Sequence, residues 1–146
     1  TPSCKQRWAS KKNAEIKTLR KLWRTYQSGV APDPDFGSFE EHGLAFDYVP
    51  AGTFSNQRRG YWRYQISWGG PSDEFRFYGE PVPDRTMRGG RQFTVKLERI
   101  EYAFLDWFDG YSRKLTGGDE KLLREIWDWL DDCGAVEAEH NKALLG

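Results

Sequence analysis

Asp106 and Asp109 flank Trp107-Phe108 at the end of an alternating run. Two carboxylates beside aromatic rings could form an acid/base pair, because an apolar neighbour raises one pKa while the other group stays ionised. Aspartates at such positions more commonly hold a turn through their side-chain oxygens, and that structural role is expected here. His42 and His140 are the only histidines and stand far apart in sequence. A zinc or iron site needs three or four converging ligands, and no spacing supplies them. Cys4 and Cys133 sit in no metal or nucleophile motif. There is no glycine loop to cradle a phosphate and no serine elbow. The chemistry expected of the chain is therefore non-enzymatic, with no metal and no cofactor.

Recognition is better supplied than catalysis. Trp62, Tyr64, Ile66 and Trp68, expected in the core, alternate with Tyr61, Arg63, Gln65 and Ser67, and period two of this quality marks a half-buried strand. The next run, Glu74–Tyr78, turns Phe75 and Phe77 inward and leaves Arg76 and Tyr78 with the outward set. Tyr61, Arg63, Arg76 and Tyr78 would then form an open basic-aromatic face. Aromatic rings stack bases and arginines grip phosphates. Tyrosine and arginine also anchor protein contacts, and no RNP-type run accompanies them. A protein or nucleoprotein partner is expected first, and single-stranded nucleic acid or RNA second. Two helix faces carry charge. Lys17, Arg20, Lys21 and Arg24 share an arc that suits phosphates or plain solvent. Glu125, Asp128 and Asp132 fall at i, i+3, i+7 with Asp131 beside them, a carboxylate row expected to lie exposed, opposite the apolar stripe.

Helical spacing of Ile16, Leu19, Trp23 and Tyr26, with Leu22 on the same side, predicts a helix over about 5–27. Strands are predicted over about 44–49, 61–68, 74–78 and 93–104. Between them, residues 31–43 and the Pro/Gly/Arg-rich residues 79–92 read as loops. Phe93, Val95 and Leu97 shift phase to Ile100, Tyr102 and Phe104, which signals a bulge or a strand break. Ser112–Leu115 has the character of a short strand. The last long helix is predicted over about 119–133, with Asp119 as N-cap and an apolar face of Leu122, Leu123, Ile126, Trp129, Leu130 and Cys133. Residues 136–145 add another turn or two. This order predicts an α+β domain spanning residues 1–146, with an antiparallel sheet of three to five strands and the N- and C-terminal helices packed on one face.

The chain has 146 residues, enough for one core without covalent staples, and aromatic residues make up 16% of it. No apolar run approaches the length of a membrane span, the N-terminal residues lack a signal-peptide core, and two isolated cysteines agree with a cytoplasmic address. The formal net charge is +0, yet residues 1–26 hold eight Lys/Arg against one Glu, and residues 98–146 hold six against twelve acidic residues. That polarity predicts charged partners or ends lying side by side.

The segments GYWRYQISWGGPSDEFRFY (60–78), RIEYAFLDWFDG (99–110) and LTGGDEKLLREIWDWL (115–130) resemble small accessory proteins of phages, plasmids and integrated mobile elements. The likeness runs from about Leu44 to Gly134, and the turn from Ser67 to Phe75 is its most specific part. The basic first helix and the 79–92 loop fall outside it. The group has no assigned enzymatic activity and supplies no catalytic residues. By analogy with other small proteins of such elements, the resemblance implies an inhibitor of the anti-CRISPR or anti-restriction type that blocks a host-defence protein or nucleoprotein complex.

Overall fold

The computed structural model describes residues 2–86 and 90–145. It is an α+β fold: a five-stranded antiparallel meander in which each strand pairs with the next in sequence, with the long helices on one face. The chain opens with α1 (Cys4–Ser28) and a single turn, α2 (Phe39–His42). The strands follow as β1 (Ala45–Val49), β2 (Tyr61–Ser67), β3 (Ser72–Pro83), β4 (Phe93–Asp106) and β5 (Asp109–Lys114). Two helices, α3 (Gly117–Asp132) and α4 (Ala135–Leu145), complete the order. Among the described residues no helix is long and apolar enough to cross a membrane.

Helix α1 begins with a reciprocal cap: Ser3 Oγ accepts from Gln6 N, and Gln6 Oε1 accepts from Ser3 N. Gly29, in the left-handed region at φ 74°, ends it. The helix lays Trp8, Ile16, Leu19, Leu22 and Trp23 on the sheet. Trp62, Phe75, Phe77, Ile100, Tyr102 and Phe104 meet them from the strands, and Leu123, Ile126 and Trp127 from α3. Two indoles also bond across the layers. Trp8 Nε1 donates to Tyr102 O at 2.7 Å, and Trp62 Nε1 donates to Val136 O at 2.9 Å, so neither buried N–H is stranded.

The phase shift in β4 is a bulge. Tyr78 pairs with Arg99 but Gly79 pairs with Leu97, which leaves Glu98 as the extra residue and keeps both apolar sets on the core side. A second irregularity, between Gln65 and Ser67, overturns the expectation that Trp68 is core. The strand ends at Ser67, and Trp68 is 75% exposed. The 79–92 loop is also shorter than expected, because residues 79–83 continue β3 despite Pro81 and Pro83. Pairing with β2 stops at Phe77, so one edge of β3 is open there and a missing N–H costs nothing. Residues 87–89 of that loop lie outside the described residues. Helix α2 replaces part of the expected 31–43 loop. Helix α3 starts two residues before Asp119, with Thr116 as its N-cap residue. Its buried face includes Trp127 in place of Cys133, which is exposed.

The oppositely charged ends do lie side by side. Arg7 pairs with Asp106 at 2.7 Å, and Lys12 and Arg20 pair with Asp119 at 2.7 and 3.5 Å.

Candidate functional site on the open sheet face

Strand alternation that points Trp62 and Phe75 into the core points Tyr61, Arg63, Arg76 and Tyr78 the other way, together with Arg99 and Glu101 from β4. Among the described residues no helix joins the small cluster on that side, which consists of Val49, Tyr61 and Tyr78. The connection from β1 to β2 rims the face and encloses a recess of about 660 Å³. Five arginines line it, Arg58, Arg59, Arg63, Arg76 and Arg99, against one carboxylate, Glu74.

The tyrosines do not form the open stacking platform that the sequence predicts. Tyr61 is 2% exposed and Tyr78 8%, with ring centroids 5.4 Å apart. Guanidinium groups cover them. Arg76 Cζ lies 5.0 Å from the Tyr61 centroid, and Arg99 and Arg59 lie 4.4 and 5.8 Å from that of Tyr78. Long arginine stems lie readily across a neighbouring ring, and the ring's quadrupole draws the cation in. Burial pushes the Tyr61 hydroxyl up to about 12, Arg76 opposing and Glu74 assisting, so it is neutral at physiological pH.

Arg63 and Arg76 stand directly opposite each other across β2 and β3, a repulsive pairing unless each is neutralised. Each is. Arg63 donates to both Asp47 oxygens at 3.0 and 2.7 Å, and Arg76 Nε donates to the buried Glu74 at 2.8 Å. Arg59 Nη2 lies 3.2 Å from Glu80 and 2.8 Å from Glu98. Arg99 Nε sits 2.7 Å from Glu101, yet its buried N–H is not aimed at that oxygen and lacks an aligned acceptor. Arg58 is exposed, with no carboxylate partner among the described residues. A guanidinium has five donors, so these pairings fix the arginines and leave N–H groups over for an incoming acceptor. The recess thus offers fixed cationic donors.

The carboxylate row on α3 is less free than the sequence predicts. Glu125 is half-buried against α1 and accepts from Trp23 Nε1 at 3.4 Å. Asp131 and Asp132 pair with Arg91 at 2.9 and 3.3 Å. Contacts with α1 and with Arg91 of the β3–β4 connection engage these three; Asp128 is exposed without a cationic partner among the described residues. Burial, then Asp132 and Asp131, push the Asp128 carboxyl above its usual value. On α1, Lys17, Lys21 and Arg24 are exposed, while Arg20 is held by Asp119.

The other chemically suggestive residues have structural partners. Asp109 accepts from Cys4 N at 2.7 Å at the start of α1, and that backbone bond leads in holding its carboxyl below the usual range. Burial first, then Asp109, push the Cys4 thiol up, away from reactivity. His42 Nε2 meets Glu15 at 2.8 Å. His140 packs among Tyr48, Trp62 and Phe93. Among the described residues no three His, Cys, Asp or Glu side chains gather as a metal set.

Sequence reasoning missed Arg58, Arg59 and Arg99. The alternation of β4 did contain Arg99, which precedes Ile100 and therefore faces outward. Arg58 and Arg59 lie in a connection with no periodicity to place them. No family model, curated protein or solved structure matches the chain.

Proposed function

We propose that the protein is a non-enzymatic binding protein that docks its arginine-lined sheet face on an acidic surface of a protein or nucleoprotein complex and blocks it. The observation that carries this reading is the recess itself, lined by five arginines, four of them fixed by carboxylate pairings that leave N–H donors over. Arginine is favoured at such contacts because its planar fork recognises carboxylates and phosphates in a fixed geometry. Combined with the likeness to mobile-element accessory proteins, the reading makes the target a host-defence component and the chain an inhibitor of the anti-CRISPR or anti-restriction type. A single-stranded nucleic-acid module is the weaker reading, since the tyrosines that would stack bases are buried beneath guanidinium groups.

The test compares wild type with Arg58→Glu/Arg59→Gln in affinity capture from a host lysate, with folding verified by circular dichroism. Among the described residues Arg58 has no carboxylate partner, and the carboxylates that Arg59 meets, Glu80 and Glu98, are partly exposed, so the fold should tolerate both changes within about 0.5 kcal/mol. Loss of the captured partner is expected, since charge reversal at an interface costs up to several kcal/mol. Equal recovery by both proteins contradicts the assignment. Tight, steeply salt-dependent binding of single-stranded oligonucleotides in place of a protein partner would favour the nucleic-acid module instead.

A further inference from the structure

The outer face of α1 gathers cations that the fold leaves unused. Ser10, Asn13, Lys17, Arg20, Lys21 and Arg24 share one arc, turned away from the side that buries Trp8, Ile16, Leu19 and Trp23. The four cations, with Asn13 and Thr25, line a recess of about 510 Å³, and among the described residues no carboxylate lines it. Arg20 is held by Asp119 at 3.5 Å. Lys17, Lys21 and Arg24 are exposed, with no carboxylate partner among the described residues. Lys21 lies over the Phe36 ring at 4.0 Å, and of the two aspartates flanking that ring, Asp33 accepts from Asp35 N within its own turn.

Helix stability does not account for this cluster. Lys17 with Lys21 and Arg20 with Arg24 are like-charge pairs at i, i+4, which repel. A solvated helix commonly mixes signs, whereas the one acid of α1, Glu15, is taken by His42 at 2.8 Å. Nor does the helix dipole favour these cations, since its effect fades beyond the last turn and that turn holds no basic residue.

The make-up of the arc selects among anionic partners. None of its six residues is aromatic or aliphatic. It therefore offers no ring to stack an unpaired base, and no apolar anchor for a protein pocket or a bilayer. Cations and short polar donors repeated along a line suit a regular row of phosphates. From Ser10 to Arg24 the row rises about 21 Å at 1.5 Å per residue, the length of roughly six base pairs.

We propose that the outer face of α1 binds the phosphate backbone of double-stranded nucleic acid without reading its sequence. Lys17, Lys21 and Arg24 each neutralise a phosphate, and Ser10 and Asn13 continue the row as neutral donors. The surface lies on the helix side of the sheet, opposite the arginine recess, and does not depend on what docks there. A partner freed of nucleic acid leaves it open.

Fluorescence anisotropy of a labelled duplex of about 20 base pairs with the full chain, between about 50 and 200 mM salt, tests this. Neutralising three phosphates predicts affinity that falls roughly 40-fold over that range, equally for duplexes of unrelated sequence. Lys17→Gln/Lys21→Gln/Arg24→Gln should keep its circular dichroism spectrum, because none of the three holds an ion pair among the described residues. It should lose at least about 10-fold in affinity at low salt and most of the salt dependence. Arg58→Glu/Arg59→Gln, which alters the recess, should bind the duplex as wild type does. Wild type that fails to bind duplex at low salt overturns the proposal, as does binding that survives in the triple variant or is lost in the recess variant. Tighter binding of a single strand of the same length, or binding of anionic lipid vesicles in place of duplex, assigns the face to another ligand and likewise overturns it. Capture of a nuclease-treated partner by the triple variant reports on the recess alone, so the two readings fail separately.

Discussion

Single side chains set the pH behaviour and the local strain of this molecule. The bond to Glu15 raises the His42 pKa above the usual 6.5, outweighing burial. A group raised on folding contributes stability fully below its unfolded pKa and loses it as pH rises through the folded value. His140 behaves in the opposite way. Burial among aromatic rings lowers its pKa below 6.5, so its contribution is present above that pH and is lost as pH falls through it. Urea midpoints across weakly acidic to weakly alkaline pH should therefore fall at both ends. His42→Gln should flatten the alkaline limb and His140→Phe the acidic one; if both variants keep both limbs, these environments are misassigned. The turn residue is a separate case. Trp107→Gly should raise stability by about 1 kcal/mol, or roughly 3 °C in Tm, by relieving the left-handed backbone. A lower Tm would show that the indole's contact with Gly70 outweighs the strain.

Elements with strong periodicity were legible before any coordinates, and those fixed by long-range packing were not. The alternation in β2 located Trp62 in the core, where it is fully buried and bonded to α4. Trp62→Ala should cost about 3–5 kcal/mol, and an unchanged thermal melt would remove Trp62 from the core account. The phase shift in β4 announced a bulge or a break, but neither that it is a bulge at Glu98 nor what that bulge needs on the facing strand. There, a Cβ at Gly79 would sit 2.6 Å from Lys96 O and 2.7 Å from Val95 Cγ1. Gly79→Ala should destabilise by about 1–3 kcal/mol through this crowding, and a neutral result in urea titration would show that the bulge relaxes freely. Trp68 was misplaced because continuing an alternation assumes that the strand continues. Helix α2 and the β3 extension escaped notice because a four-residue turn has no period and prolines conceal an edge strand. The candidate face was legible in its direction but not in its layering. Period two put Tyr61, Arg63, Arg76 and Tyr78 on one side, yet only the three-dimensional contacts show arginines lying over tyrosines.

For the whole molecule, charge polarity along the chain is largely consumed in holding its ends together, through Arg7–Asp106, Lys12–Asp119 and Arg20–Asp119. Two cationic surfaces that remain are the sheet recess and the outer face of α1, and the partner is assigned to the first. Chemical footprinting separates them most directly. With the captured partner purified, arginine modification by a dicarbonyl reagent would be followed by mass spectrometry, free and in complex. Arg24, exposed on α1, serves as the internal control. The account predicts that Arg58 and Arg59 lose reactivity several-fold in the complex while Arg24 keeps its free rate. Unchanged rates at Arg58 and Arg59 with protection at Arg24 would contradict it and move the contact to the helix.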